Sequence, residues 1–222
     1  MAATKKTTSK KKMITDDQIV TFYMEDVLKN NAEPKNVYQF CQACTIEESD
    51  FYLHYSSLEA LKKVIWVKFF DNVKTTVEAD EKYLSYTNQN KLLTLYFTLF
   101  EILTLNRSYV YFTLKENKHG LKNLMQLKEF RMHFKAFITD IIDNQDENEK
   151  KLNRITKPLF TEGAWVEFLF ILKFWLDDTS KGFEKTDVMI EKTVKATFDV
   201  LDTTPLESLF DLGKFVWKEK FN

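Results

Sequence analysis

The chain has few of the residues that form tight turns. Its 222 residues include only four Gly and three Pro. Barrels, sandwiches and loop-rich binding modules depend on many turn residues, so this scarcity argues against all three. The four Gly are isolated, at positions 120, 163, 182 and 213, which also excludes a Gly-rich phosphate-binding loop. The composition favours an all-α chain.

Cysteine, arginine and long apolar runs are scarce as well. Two Cys do not make a disulfide scaffold, and three Arg among 32 basic residues leave little bidentate recognition of phosphate or guanine. The apolar run Leu92–Leu105 contains Glu101 and is shorter than the ~20 residues of a membrane-spanning helix. No apolar stretch follows the N-terminal Lys cluster, as a signal peptide requires. We therefore expect a soluble, cytoplasmic protein without a membrane span.

Aromatic residues, in contrast, are abundant: twenty Phe, nine Tyr and four Trp. They can build a large buried core, and 44% hydrophobic with 29% charged residues is typical of a globular chain. Apolar residues recur at helical spacing, and helix caps are expected at Thr15, Asn36 and Ser56 or Ser57. Further helices are predicted at 86–105, 121–142, 159–177, 187–201 and 205–220, with a charged loop at 143–157.

Charge is distributed unevenly along the chain. The net charge is −1, but residues 1–12 contain five Lys and no acidic residue, which leaves 27 basic and 33 acidic residues elsewhere. A basic arm on an acidic body indicates contact with phosphate or anionic lipid, and a solubilising terminus is the open alternative. The arm lysines are Lys5, Lys6, Lys10, Lys11 and Lys12.

The most specific pattern lies in residues 36–61, NVYQFCQACTIEESDFYLHYSSLEAL. Two short helices there are separated by a break at Thr45 and Ile46, and a long helix follows. This spacing is typical of a helix-turn-helix, whose second helix can enter a major groove of DNA. One small core can form under the two helices from Phe40, Cys44, Ile46, Phe51 and Tyr55.

This segment resembles the DNA-binding module of TetR-type repressors. Thr45 stands where the family has its turn Gly, and the helix start Glu59-Ala60-Leu61 matches outright. The other matches are Phe40 at the family's Ile, Cys41 and Cys44 at its two Ala, Ile46 at Val, Phe51-Tyr52 at Leu-Tyr and His54-Tyr55 at the aromatic pair. The departures are Thr45 itself and an acidic recognition helix, with no Lys or Arg between Lys35 and Lys62.

The resemblance implies a ligand-responsive, DNA-binding transcriptional regulator that acts as a homodimer and is not an enzyme. It divides the chain into a basic arm (1–12), a helix-turn-helix head (13–60) and a helical ligand-binding and dimerisation domain (61–222). The alternative is a lipid or isoprenoid carrier on the same scaffold, which the acidic recognition helix favours. The expected DNA contacts are the five arm lysines with Asn36, Glu47, Glu48, Ser49, Asp50, Tyr52, His54 and Tyr55.

Other residue groups favour no chemistry of their own. Cys41 and Cys44 lack a second ligand pair for zinc and a strand-then-helix setting for redox work, so we interpret both as core residues. Asp177 and Asp178 are interpreted as a solvated helix end. Since no spacing of His, Cys or carboxylates indicates catalysis, we expect no metal and no cofactor.

An apolar small molecule or lipid is the expected ligand of the body. The polar stripe Thr94, Thr98 and Glu101 anchors such a ligand if it faces inward, in which case Glu101 should lie beside Arg131 or a ligand group. A solid aromatic core is the alternative. The candidate ligand residues are Tyr96, Phe97, Phe100, Glu101, Tyr109, Phe130, Arg131, Phe134, Trp165 and Phe168.

The last two predicted helices offer more apolar surface than one domain can cover. Helix 159–177 is apolar on all sides, and helix 205–220 repeats large residues along one face. A symmetric dimer is the economical explanation. Its expected interface comprises Phe170, Phe174, Phe210, Gly213 and Trp217.

Overall fold

The computed structural model describes residues 14–116, 120–143 and 150–203, and within these ranges the chain is helical and contains no strand. The all-α prediction is confirmed. Short 3₁₀ segments lie at Tyr83–Ser85, Gly120–Leu127 and Lys181–Phe183, and Phe112–Glu116 is a π-helical turn. The α-helices are α1 (Asp16–Asn30), α2 (Val37–Cys44), α3 (Glu48–Tyr52), α4 (Leu58–Glu78), α5 (Asn88–Leu105), α6 (Arg107–Tyr111), α7 (Lys128–Asp143), α8 (Lys150–Asp177) and α9 (Glu184–Thr203).

Side-chain caps set where the early helices begin. The Thr15 hydroxyl accepts from the Gln18 amide at 3.2 Å, and the Gln18 side chain accepts from the Thr15 amide at 2.9 Å. Asn36 caps α2 by accepting from the Gln39 amide at 2.8 Å, and Ser57 caps α4. Each bond satisfies an amide that the first helical turn leaves without a partner. The predicted starts at these three positions are confirmed.

The break between α2 and α3 is made by Thr45 in the left-handed region, at φ 58° and ψ 42°. The Ile46 amide donates to the Cys41 carbonyl at 3.0 Å and so closes the end of α2. A left-handed conformation costs an L-residue about 1–2 kcal/mol, and Thr45 is exposed, so burial of its side chain does not offset that cost. The turn therefore holds a β-branched residue in a conformation that ordinarily favours Gly.

The core of the body is a cluster of aromatic rings between α4, α5, α7 and α8. Phe130 lies 5.1 Å from Phe168 and 5.4 Å from Phe70, measured between ring centroids. Trp165 lies 5.3 Å from Phe168 and 5.8 Å from Phe134. Tilted and edge-on rings at these separations attract one another beyond their burial of apolar area.

Two predicted boundaries were wrong. Residues 150–157 begin α8 rather than belonging to a loop, and Pro158 lies inside that helix. Lys, Arg and Leu form helices well, and one Pro removes a single amide donor, so the helix continues through it. The predicted helix 121–142 begins as an α-helix only at Lys128, after the 3₁₀ segment. The predicted helix 205–220 lies outside the described residues.

Candidate functional site

The exposed face of the head is formed by α3 and its flanks. Tyr52 is 54% exposed, and Glu47, Ser49 and His54 are also exposed. Two further predicted contacts, Glu48 and Asp50, are half-buried, and Asn36 is exposed while it caps α2. The short helix thus presents one aromatic ring among carboxylates and hydroxyls.

Tyr55, in contrast, belongs to the interior of the head. It is 4% exposed and donates a hydrogen bond from its hydroxyl to the Asp16 carboxylate. Its ring packs 5.8 Å from Phe51, which in turn lies 5.8 Å from Phe40. Tyr55 therefore holds α1 against α3. The sequence suggested two roles for it, a member of the small core and a DNA contact, and its burial fits the first and not the second.

The two thiols line the same core. Cys41 is buried and Cys44 is half-buried, as is Ile46, so the prediction of complete burial was wrong for the last two. Burial raises the pKa of each thiol to about 11, which keeps both protonated at neutral pH. Within the described residues, no group of three His, Cys, Asp or Glu side chains is arranged to hold a metal ion.

The described part of the head is strongly acidic. Residues 14–57 contain two lysines, Lys29 and Lys35, against eight carboxylates. The nearest lysines of α4 are paired: Lys62 lies 3.0 Å from Glu33, and Lys68 lies 2.5 Å from Asp16. The head alone is therefore expected to repel the phosphate backbone of DNA, which carries one negative charge per ~1.7 Å of duplex. The eight carboxylates are Asp16, Asp17, Glu25, Asp26, Glu33, Glu47, Glu48 and Asp50.

The described chain begins beside this face. The Ile14 carbonyl accepts a hydrogen bond from His54 Nε2 at 3.1 Å, and His54 directly follows the end of α3. In the sequence, Lys12 and Lys10 precede Ile14 by two and four residues. The five arm lysines themselves lie outside the described residues.

The candidate ligand residues form a packed core. Phe130, Phe134, Trp165 and Phe168 contact one another, and Phe100 joins them at 6.1 Å from Phe168. Tyr96 stacks on Phe134, with its hydroxyl donating to the Ala164 carbonyl at 2.8 Å, and Phe97 is half-buried. Tyr109 lies elsewhere, 6.5 Å from Tyr23 of the head. The core therefore continues from the body into the head.

The polar stripe does not face inward. Glu101 is exposed, and the Thr94 hydroxyl donates to a carbonyl of its own helix. Arg131 donates to Glu162 at 2.6 Å instead of approaching Glu101. The expectation of a buried Glu101 beside Arg131 was wrong, because the polar face of α5 is solvated in the ordinary amphipathic way.

An apolar stripe runs along the outside of α8. Leu159, Val166 and Phe170 are 57%, 63% and 54% exposed and share one helical face, at i, i+7 and i+11. Gly163, also exposed, occupies the i+4 position of that face. Phe174 is half-buried and lines a groove with Val188 of α9. Phe210, Gly213 and Trp217 lie outside the described residues.

Comparison with protein families settles the relationship. Residues 91–216, more than half of the chain, match the family model described as the tetracyclin repressor-like C-terminal domain. The chain belongs to this TetR-like family. The match begins within α5 and leaves the helix-turn-helix head outside. A comparison with curated proteins found no match.

Membership of the TetR-like family gives the coarse assignment, a TetR-like C-terminal ligand-binding domain. The helices α5–α9 form its C-terminal domain, the part that the resemblance associates with ligand binding and dimerisation. None of the described helices is long and apolar enough to cross a membrane.

Arg107 of α6 contacts α8 and the 3₁₀ segment Lys181–Phe183 of this TetR-like domain, a role that was not predicted from the sequence. Its guanidinium lies 4.3 Å from the ring centroids of both Trp175 and Phe183. It also donates to the Trp175 carbonyl at 3.0 Å and more weakly, at 3.4 Å, to those of Leu176 and Asp178. It thereby caps the end of α8, which a lone Arg in a sequence does not reveal.

Asp178 was predicted to be a solvated helix end, and this was wrong. It is 7% exposed, because the chain after α8 folds back and α9 begins over it. Its Oδ1 accepts from the amide and hydroxyl of Ser180, and its Oδ2 from the amide and hydroxyl of Thr186. These bonds outweigh the burial of its charge and lower the pKa of Asp178 to about 2.

Proposed function

We propose that the protein is a ligand-responsive transcriptional regulator that acts as a homodimer and contacts duplex DNA with its head and arm. The observation that carries the proposal is the bond between Ile14 and His54. Ile14 lies beside the exposed face of α3, and the five arm lysines precede it by two to nine residues in the sequence. The arm supplies the positive charge that the acidic head lacks.

Deletion of residues 1–12 is expected to weaken binding to all duplexes alike. Each lost lysine–phosphate contact should flatten the slope of log affinity against log salt by about 0.9. Tyr52→Ala should instead weaken binding to some duplex sequences more than to others, with little change in that slope, because Tyr52 lies on the exposed face of α3. Fluorescence anisotropy with a duplex library across a salt series measures both effects. If no duplex binds the full chain at low salt, the regulator proposal fails.

The acidity of the head supports a second candidate, a lipid or isoprenoid carrier on the TetR-like scaffold. Eight carboxylates against two lysines suit a surface that avoids nucleic acid. Native mass spectrometry with extraction of bound lipid separates the two candidates. A carrier retains lipid and ignores DNA, whereas a regulator binds DNA at low salt.

Dimerisation is proposed through the apolar stripe of α8. Phe170→Lys places a charge at the C-terminal end of that stripe and is expected to shift the mass in light scattering from dimer towards monomer or aggregate. The matched control is Leu105→Lys, on α5, where an 80% exposed Leu lies outside the stripe. A wild-type monomer at micromolar concentration contradicts the proposal, as does a Phe170→Lys variant that stays dimeric.

The proposed ligand-binding role stays with the body, for which the candidate apolar ligand was a lipid or small molecule. The four central rings already contact one another, so a ligand among them must displace ring contacts rather than fill open space. This cost is a reason to look for ligand chemistry on the rest of the body.

A further inference from the structure

A groove of about 360 Å³ lies where the end of α4, the Tyr83 turn, the start of α5 and the end of α7 meet. It is separate from the residues considered above for DNA, ligand and dimer contacts. Lys91, Tyr83, Phe137 and Ile141 line it together with several carboxylates. We name it the Lys91 groove. Its volume is near the lower end of the range for small-molecule sites, about 300–1,000 Å³.

Lys91 is unusual in being buried without a counterion. It is 6% exposed, and no carboxylate of the described chain lies within 4 Å of its ammonium nitrogen. Its nearest aromatic partner is the ring of Tyr83, whose centroid is 6.0 Å away. Lysine is almost never buried unless it is paired, because desolvating an ammonium group is costly. The burial of Lys91 points to an anionic group that belongs beside it.

Tyr83 lines the same groove and has a buried hydroxyl that the described chain leaves unsatisfied. Its side chain is 7% exposed, and its hydroxyl has no hydrogen-bond partner in the described part of the chain. Burial raises the pKa of Tyr83 to about 12, so the hydroxyl keeps its proton at neutral pH and can donate it to an acceptor. An unpaired buried hydroxyl is costly, and an acceptor such as a ligand carboxylate would satisfy it.

The other charges of the groove have the opposite sign. The carboxylates of Glu78, Asp80, Glu81 and Asp140 line it. Glu78 also lies 3.7 Å from Lys74, and Asp80 accepts a hydrogen bond from the Tyr86 hydroxyl at 2.9 Å. A simple anion is repelled by this set, and a simple cation leaves Lys91 and Tyr83 unsatisfied. A molecule that carries both charges satisfies both groups.

The walls supply an apolar contact as well. Phe137 stacks on Tyr83 with a centroid distance of 6.4 Å, and Ile141 is 4% exposed. We propose that the Lys91 groove binds a small amphipathic zwitterion, an α-amino acid or close analogue with an aromatic or branched side chain. Its carboxylate meets Lys91 and Tyr83, its ammonium group meets the carboxylates, and its side chain packs on Phe137.

Three molecules of one shape test the proposal: L-phenylalanine, 3-phenylpropionate without the ammonium group, and phenethylamine without the carboxylate. Titration calorimetry on the full chain, without DNA, is expected to show at least about tenfold tighter binding of L-phenylalanine than of either analogue. This measurement is independent of the regulator proposal, because the groove requires neither DNA nor a second subunit.

Variants locate the site. Lys91→Met is expected to weaken the binding of L-phenylalanine about tenfold and leave the binding of phenethylamine unchanged. Glu81→Gln should weaken the binding of both L-phenylalanine and phenethylamine, which carry an ammonium group. Tyr83→Phe removes a single hydroxyl at nearly constant volume and should weaken the binding of L-phenylalanine and 3-phenylpropionate alike. It keeps the site testable if Lys91→Met does not fold. Lys195→Met, an exposed lysine of α9, is the matched control and should change nothing.

Three results overturn the proposal. The first is no binding of L-phenylalanine at millimolar concentration. The second is phenethylamine binding as tightly as L-phenylalanine, which leaves only a general attraction of cations to the carboxylates. The third is unchanged binding of L-phenylalanine by a folded Tyr83→Phe or Lys91→Met variant.

Discussion

Replacement of Phe168 with alanine is expected to lower the free energy of unfolding by about 4 kcal/mol. Phe168 is fully buried at the centre of the aromatic core. Its ring lies 5.1 Å from Phe130, 5.3 Å from Trp165 and 5.6 Å from Phe134. Truncation removes the apolar area and leaves a cavity, since rings held from three sides relax only partially. Urea denaturation followed by circular dichroism measures the loss.

The control for this variant is Met132→Ala on α7, where a 65% exposed side chain should cost less than about 0.5 kcal/mol. A loss below about 1.5 kcal/mol for Phe168→Ala contradicts the solid core and indicates that the rings already border open space. If the core is solid, benzene should stabilise the variant more than the wild type, because an apolar cavity of this kind binds it.

Local signals in the sequence were sufficient to predict the head. The caps at Thr15, Asn36 and Ser57 each accept from an amide three residues away, so the nearby sequence contains all of the information. Thr45 illustrates the same point: its place at the family's turn Gly marked the break between two helices, and the structure has that break there, with Thr45 at φ 58°. A short-range pattern succeeds where the interaction itself is short-range.

The body was less predictable because its polar residues depend on distant partners. Arg131 pairs with Glu162, thirty-one residues away, whereas helical periodicity alone left it free to meet Glu101. Lys91 gave no signal at all, since a lysine in the first turn of an amphipathic helix is ordinarily solvated. It lines a groove together with Phe137 and Ile141, which are distant in the sequence, so nearby residues could not reveal its burial.

Asp178 shows the largest difference between a local interpretation and the folded chain, and Asp178→Asn is expected to destabilise the protein by about 3 kcal/mol. The carboxylate accepts four hydrogen bonds, two at each oxygen, from Ser180 and Thr186. An amide can accept only at its oxygen, and its NH₂ group faces donors at the other position. Asp177→Asn is the matched control.

Asp177 is exposed and pairs with Lys115 at 2.6 Å, so its replacement should lower stability far less than that of Asp178. The dependence on pH separates the two sites further. Because the pKa of Asp178 is about 2 in the folded chain, below its ordinary value of 3.8, its contribution is present above pH 4 and disappears as the pH falls towards 2. Denaturation between pH 2 and 5 should therefore be markedly less pH-dependent in Asp178→Asn than in the wild type or Asp177→Asn. Equal slopes in the three proteins, or a cost below about 1 kcal/mol at pH 7, would show that the four bonds do not hold α9 against the end of α8.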